Sequence, residues 1–415
     1  MLSSVRSGDG NFFSVFGSEN VPRLFSCSLG LLATALGLNE GFYPAFCVCA
    51  GTAGFLLYQD ISQRPKDLSW RSASHAELWS TLYLPICLFL YTALTPGHFL
   101  KDLPIACKMF AAWLIGLAAA RLSKPLLAAS LLPLPLVLAV SIAVSPFFGY
   151  SWEERLCLGF SHPNVLGAIA AWSVLLVLAL RDAYPARLRP LAFGAAAFCA
   201  CGVVLASSRA ALLGLAIGSL FFLRHGLRKH FLTFLSVGLI CITMAAFILP
   251  DRHVTRLETA LRTPIADVTF QSRLPIWEAA WNGFLQAPVW GNGVRTFESW
   301  HNNYVAQYKD NLRQRYDIVE TRIGNPHHFI LGLLYMYGLI GLTLFAATFI
   351  PTTLRAWRNK DDLLLGILLF FLVQGLFEFT LHRKDGIFML FFPLGLIGGQ
   401  LLNRVGKEDG KKVII

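Results

Sequence analysis

The chain has 415 residues, 55% of them hydrophobic and only 14% charged, with a mean hydropathy of +0.56 and a formal net charge of +11 at pH 7. That balance excludes an ordinary soluble domain and indicates a polytopic membrane protein. The excess of Lys and Arg belongs to loops beside apolar spans, so no nucleic-acid partner is needed to explain it.

Apolar runs long enough to cross roughly 30 Å of hydrocarbon predict an all-α chain with about twelve spans. They fall near 23–38, 42–59, 76–94, 103–122, 125–145, 164–181, 190–206, 210–224, 231–249, 328–350, 362–380 and 386–403. Basic residues then set the orientation. Arg64, Lys66 and Arg71, then Arg121 and Lys124, Arg181, Arg187 and Arg189, Arg224, Arg228 and Lys229, and Arg355, Arg358 and Lys360 all fall in alternate loops, which are therefore cytoplasmic. The other short loops hold only Lys101, Arg155, Arg209, Arg383 and Lys384. Both termini are expected inside, and no small-residue cleavage site follows the first apolar run. The chain divides into spans one to nine (1–249), a large outer loop (250–326), spans ten to twelve (327–403) and a cytoplasmic tail (404–415). The nine cysteines lie in or beside spans with no CxxC pair, which reads as membrane packing.

Taken in chain order, the unusual polar groups sort to the outer side. "SHPNVLG" (Ser161–Gly167) opens span six: Pro163 and Asn164 suit a helix start, and His162 and Asn164 are also candidates to line a cavity. Arg209, preceded by Ser207 and Ser208, starts an inward-running helix in the very short turn "SSRA". The positive end of a helix dipole gives a cation nothing, whereas an anion would meet both the guanidinium and the free N–H groups. The alternatives for Arg209 are lipid phosphate or a carboxylate partner.

A loop the size of 250–326 in a tightly wound bundle is usually functional. "LPIWEAAWNGFLQ" has helical spacing, and the turn residues of "APVWGNG" end it. Trp277, Trp281, Trp290 and Trp300 either anchor at the membrane surface or stack on sugar. Arg273 stands just before the loop helix, beside Ser272.

His327 immediately precedes span ten. The helix end there favours an uncharged imidazole, as a general base requires, although a capping role suits the same position. Zinc would need about three ligands; His327, His328, His301, His162 and His382 supply them only through tertiary coincidence, and the first outer loop ("NEG") has no DxD-type carboxylate pair. No metal and no cofactor are expected. Near the last outer turn, "FEFTLHRKDG" adds Arg383 and places Glu378 in the outer turn of span eleven, where a carboxylate is a functional candidate or, equally, an ion-pair partner for Arg209 or Arg383.

These features together resemble the O-antigen ligase (WaaL) family, within the wider group of O-antigen polymerases and protein O-oligosaccharyltransferases. "RAALL" (Arg209–Leu213) is similar to that family's R-x3-L pattern, and "HHFILGLLYMYG" to its H-x10-G, counted from His327 to Gly338. "SHPNVLG", "SRLPIW" and "PVWGNGVRTF" also look like members of the group. His328 departs from the family, which commonly has Asn there. The resemblance implies a GT-C membrane glycosyltransferase in the bacterial inner membrane, its site facing the periplasm. It also implies transfer of a polysaccharide from undecaprenyl diphosphate to the lipid A–core oligosaccharide, both substrates being presented among membrane lipids. On that reading Arg209 and Arg273 hold the diphosphate and His327 is the base. Ser208, His162, Asn164, His328, Glu378 and Arg383 are secondary candidates, and Tyr304 with the tryptophans lines the sugar side. An O-antigen polymerase would carry two sizeable outer loops. A protein O-oligosaccharyltransferase would have a larger outer C-terminal part, and a polysaccharide or lipid transporter would have midplane charges and internal repeats.

Overall fold

The computed structural model describes residues 20–39, 41–63, 79–95, 99–148, 151–152, 155–158, 160, 162–220, 268–359, 361–378, 381 and 383–412. The first part of the chain forms α1 (Asn20–Leu38), α2 (Phe42–Gln63), α3 (Trp79–Leu94, opening on a π-helical turn), α4 (Phe99–Ala119), α5 (Lys124–Leu131) and α6 (Pro133–Phe148). A pair of two-residue antiparallel strands, β1 (Ser151–Trp152) and β2 (Arg155–Leu156), leads to α7 (Pro163–Ala179), α8 (Arg189–Leu205) and α9 (Arg209–Leu220). The loop supplies α10 (Val268–Gln271), α11 (Arg273–Gln286), α12 (Phe297–Gln307) and α13 (Lys309–Arg315), followed by α14 (Phe329–Arg358), α15 (Asp362–Gly375) and α16 (Lys384–Lys412).

Among the described residues, four segments are long and apolar enough to cross a membrane: Asn20–Leu38, Leu100–Ala119, Lys124–Ser145 and Phe329–Arg358. Five shorter apolar helices accompany them, at Trp79–Leu94, Pro163–Ala179, Arg189–Leu205, Arg209–Leu220 and Leu364–Gly375. The runs expected at 42–59 and 386–403 are helical within α2 and α16. The run expected at 231–249 and the start of the outer loop, 250–267, lie outside the described residues.

The bundle closes around α7, which is buried on every side from Val165 to Leu178, as a helix that is apolar all round must be. Trp172 at its middle is fully buried and meets Phe388 and Phe392 of α16 edge-on, at ring centroid separations of 5.9 and 6.5 Å. α16 in turn packs along α4.

Span ten is not the continuous helix its hydropathy predicts. α14 contains a break at Gly338, whose φ of 62° and ψ of −163° lie far from helical values. The break frees backbone groups that an apolar surrounding cannot hydrate, and the loop segment after α11 satisfies them. Asn292 and Gly293 donate their N–H groups to the carbonyls of Tyr335 (2.8 Å) and Met336 (3.0 Å). Below the break, Leu339 and Ile340 donate to Pro288 (2.8 Å) and Val289 (3.3 Å). The Tyr91 hydroxyl of α3 lies 2.8 Å from the remaining carbonyl, that of Tyr337, and 2.9 Å from the carbonyl of Trp290. A Cβ on Gly338 would fall 2.4 Å from the Val289 oxygen, and one on Gly291 2.5 Å from the Met336 carbonyl. "WGNG" is therefore more than a helix stop: it is the strand-like piece that mends span ten.

Two further contacts tie the loop to the bundle. The Val294 N–H donates to the buried Asp102 carboxylate of α4 (3.2 Å), and Gly283 of α11 lies against the Tyr335 ring. Within the loop, Glu278 gathers α11, α12 and α13: its carboxylate accepts from the hydroxyls of Tyr304 (2.8 Å) and Tyr316 (2.7 Å) and from Arg315 (2.7 Å). Burial alone would raise the Glu278 carboxyl; these three donors outweigh it and hold it below the usual range. Tyr304 thus belongs to the loop's own core and not to a sugar-facing wall, which corrects the expectation for that residue.

Candidate functional site

Two helix starts on the same end of the bundle are capped by histidine. His162, in extended conformation (φ −157°, ψ 142°), accepts the Asn164 N–H at Nδ1 (3.2 Å) and so caps α7. His328 (φ −155°, ψ 121°) does the same for α14, its Nδ1 accepting from Leu331 (3.3 Å). An Nδ1 two bonds from Cβ can reach the first turn much as an Asn side-chain oxygen does. That accounts for His328 at a place where the resembling family commonly carries Asn. Its ring meets Trp277 edge-on at 5.4 Å. Burial, and then the charge of Arg273, push its pKa down.

Since His328 takes the cap, His327 is left outside the helix with its ring uncommitted to the backbone. It stands in the left-handed region (φ 48°), with its N–H donated to Asn325 Oδ1 at 3.0 Å in a side-chain-closed turn. A non-glycine residue held there is uncommon and is kept only where its surroundings over-determine it. Its Nδ1 lies 3.2 Å from Oε1 of Glu378, with the side chains 26% and 11% exposed.

Glu378 is the hub. α15 ends at Gly375, so the carboxylate stands beyond the helix, not in its outer turn as expected. Its Oε2 accepts from Asn164 Nδ2 (3.1 Å) and pairs with Arg273 Nη2 (3.4 Å). Burial alone would raise this carboxyl. The imidazole of His327, then Arg273 and His162, outweigh burial and hold it down at about 2. One carboxylate therefore joins the starts of α7, α11 and α14. Its ion-pair partner is Arg273 in place of the expected Arg209 or Arg383; Arg383 instead faces Asp385 at 3.6 Å. His382 lies outside the described residues.

Arg209 opens α9 after a tight turn in which Ser207 also takes positive φ (49°). Ser208 is buried, with its Cβ so close to Gly167 of α7 that a Cβ there would lie 2.6 Å away. Gly167 is one turn after Asn164, so the start of α9 is packed against the same end of α7 that carries the Glu378 contact. The tryptophans divide: Trp277 lies against His328, Trp300 donates its Nε1 to the Ala279 carbonyl (2.8 Å), and Trp281 and Trp290 are exposed. Among the described residues, no group of three or more His, Cys, Asp and Glu side chains is placed to hold a metal ion.

Residue types and arrangement define a class first: a multi-pass membrane protein of apolar helices with a histidine–carboxylate–arginine cluster where a loop meets the bundle. The comparison with known families agrees and is more specific. Residues 194–346 match the O-antigen ligase family model (Wzy_C), a stretch running from α8 into α14 and taking in Arg209, Arg273 and His327. That domain supports an O-antigen ligase or polymerase type of function. No curated protein matches the chain. Asn164 and Glu378 lie outside the matched stretch, and no sequence signal ties them to His327, because their contacts span 214 and 51 residues.

Proposed function

We propose that this protein is an O-antigen ligase of the GT-C type. It transfers O-antigen polysaccharide from undecaprenyl diphosphate to the lipid A–core oligosaccharide at the periplasmic face of the inner membrane. The observation that carries this reading is Glu378, whose carboxylate meets the His327 ring at one oxygen and Arg273 at the other.

The acceptor hydroxyl loses a proton as it attacks the anomeric carbon. With Nδ1–H donated to Glu378, the His327 ring keeps its lone pair on Nε2, the atom that takes this proton. The carboxylate fixes the tautomer and steadies the ring once it is protonated. Cleavage of the sugar–phosphate bond builds negative charge on the diphosphate leaving group. Arg273 and Arg209 meet that charge, and Arg209 does so from the start of α9, where the helix N–H groups point the same way. Arg273 also offsets Glu378, without which a carboxylate would repel an anionic donor. Two arginines and a helix start do here what a divalent cation does elsewhere, so the reaction is metal-independent. Displacement by a single acceptor inverts the anomeric configuration.

The test offers purified protein in lipid vesicles a lipid-linked glycan with lipid A–core, a peptide or a second lipid-linked glycan as acceptor. Extension of lipid A–core is the expected result. Extension of the second glycan alone would make the protein a polymerase, extension of peptide an O-oligosaccharyltransferase, and transfer to none of the three would reopen a transport role.

A further inference from the structure

His301 is a buried imidazole that the mechanism above does not use. It lies on α12, one turn after Phe297, and is 0% exposed. Its ring leans on Phe297 (centroids 5.8 Å apart, 32° between planes), and Phe297 meets Tyr335 of α14 edge-on at 5.0 Å. Phe297 thereby stands between the His301 ring and the half-helix that begins behind His327. Neither of its nitrogens has a hydrogen-bond partner among the described residues. Burial, and then the neighbouring His327, push its pKa down to about 4, so the ring is neutral at physiological pH. A second polar atom of the loop is in the same condition. Nε1 of Trp277, the indole set against His328, is buried without a partner among the described residues.

Buried polar groups are paired in most folds, and leaving both nitrogens of a ring unmade weakens a fold that a phenyl ring would fill equally well. Such an arrangement is kept where a ligand completes it. The chemistry of the ligand follows from what the ring offers. A neutral imidazole presents one donor and one acceptor. A diphosphate has only acceptors and an ammonium only donors, whereas a hydroxyl is both.

We propose that His301 is a substrate-binding residue of the transfer site, taking a sugar hydroxyl beside His327, with the Trp277 indole N–H as a companion donor. The proposal rests on the glycosyl-transfer reading. Hydroxyls are carried by both the donor glycan and the acceptor core, and kinetics separate the two sources.

The experiment compares wild type, His301→Phe and His301→Gln, each full-length in nanodiscs, using a defined lipid-linked oligosaccharide as donor and lipid A–core as acceptor. Initial rates are measured with each substrate varied in turn, and the thermal midpoint of each variant is recorded. The expected result is a His301→Phe protein at least as stable as wild type, with KM raised about 10- to 100-fold for one substrate and unchanged for the other. His301→Gln should recover part of the loss. The substrate whose KM moves is the one whose hydroxyl His301 holds. Equal KM values in wild type and His301→Phe would overturn the proposal, and so would a lower thermal midpoint for His301→Phe, since the nitrogens would then serve the fold. Wild-type protein that transfers nothing to any acceptor would instead sink the glycosyl-transfer reading, so the two failures are distinguishable.

Discussion

Replacing Glu378 by Gln keeps the shape of the hub and removes its charge. An amide oxygen can still accept from Asn164, but the Arg273 guanidinium then faces a neutral group at 3.4 Å, and His327 loses the carboxylate that accepts at Nδ1. The energetic scale follows from the carboxyl itself. Its fall from 4.5 to about 2, at about 1.4 kcal/mol for each tenfold, sets an upper bound of ~3 kcal/mol, the part owed to His327 acting only while that ring is protonated. The side chain is 11% exposed, so solvent screens little of this. Because the folded-state value is depressed, the stabilisation is fully present above about pH 4.5 and is lost as the pH falls toward 2. The wild-type thermal midpoint in nanodiscs should therefore exceed that of Glu378→Gln at pH 7, with the gap closing below pH 4.5. A group that fixes the tautomer of a base is worth up to about 10⁴ in kcat, and with Arg273 also unpaired we expect a loss of at least ~100-fold. Initial-rate assays of glycan transfer at saturating donor give the comparison. Activity within about threefold of wild type, or a stability gap that does not depend on pH, would refute the hub role of Glu378.

His327→Ala should abolish transfer while the protein stays in the membrane and lipid-linked donor accumulates; mature polymer still reaching lipid A–core in a cell carrying only this variant would show that the base lies elsewhere. Arg209→Ala should lower turnover by about 100-fold or more, on the scale of one lost oxyanion donor, with Arg209→Lys intermediate because it keeps charge without the planar fork. Rates measured in excess chelator should equal those without it, and a loss restored by adding a divalent ion would defeat the metal-independent mechanism. Gly338→Ala combines a positive φ with a Cβ aimed 2.4 Å from the Val289 oxygen, so it should destabilise by about 2 kcal/mol or more, read as a fall in thermal midpoint and in activity together.

Much of this was legible in the sequence, and the parts that were not share a cause. Hydropathy located α8 and α9 on either side of "SSRA", and helical spacing located α11, because both signals are local. Pro163 and Asn164 announced a helix start that is there, whereas His162, read as a cavity-lining candidate, turns out to be its cap. The break at Gly338 was hidden because apolar residues continue unbroken on both sides of it, and one glycine in a hydrophobic run gives no sign of its φ. The partner of that break, "WGNG", read correctly as the end of a helix but gave no hint of where the segment goes next. The Glu378 hub was beyond reach for a different reason: Asn164, Arg273, His327 and Glu378 come from four separate stretches, and only the packing of α7, α11, α14 and the turn after α15 decides that one carboxylate meets three of them. His328 was read as an unexplained neighbour, since its use as a cap becomes visible only with its φ and ψ in hand.

The mended break in α14 makes the nine residues from Phe329 to Tyr337 a gauge block. One end is set by the His328 cap and the other by the Pro288–Gly293 segment, so the length and twist between His327 and Gly338 are referenced to the loop and not to the thickness of the bilayer around them. An inserted residue would turn His327 by roughly 100° about the helix axis relative to that segment, carrying it off Glu378, whereas a change of lipid chain length has no such lever. The loop is therefore also the datum from which His327 is positioned.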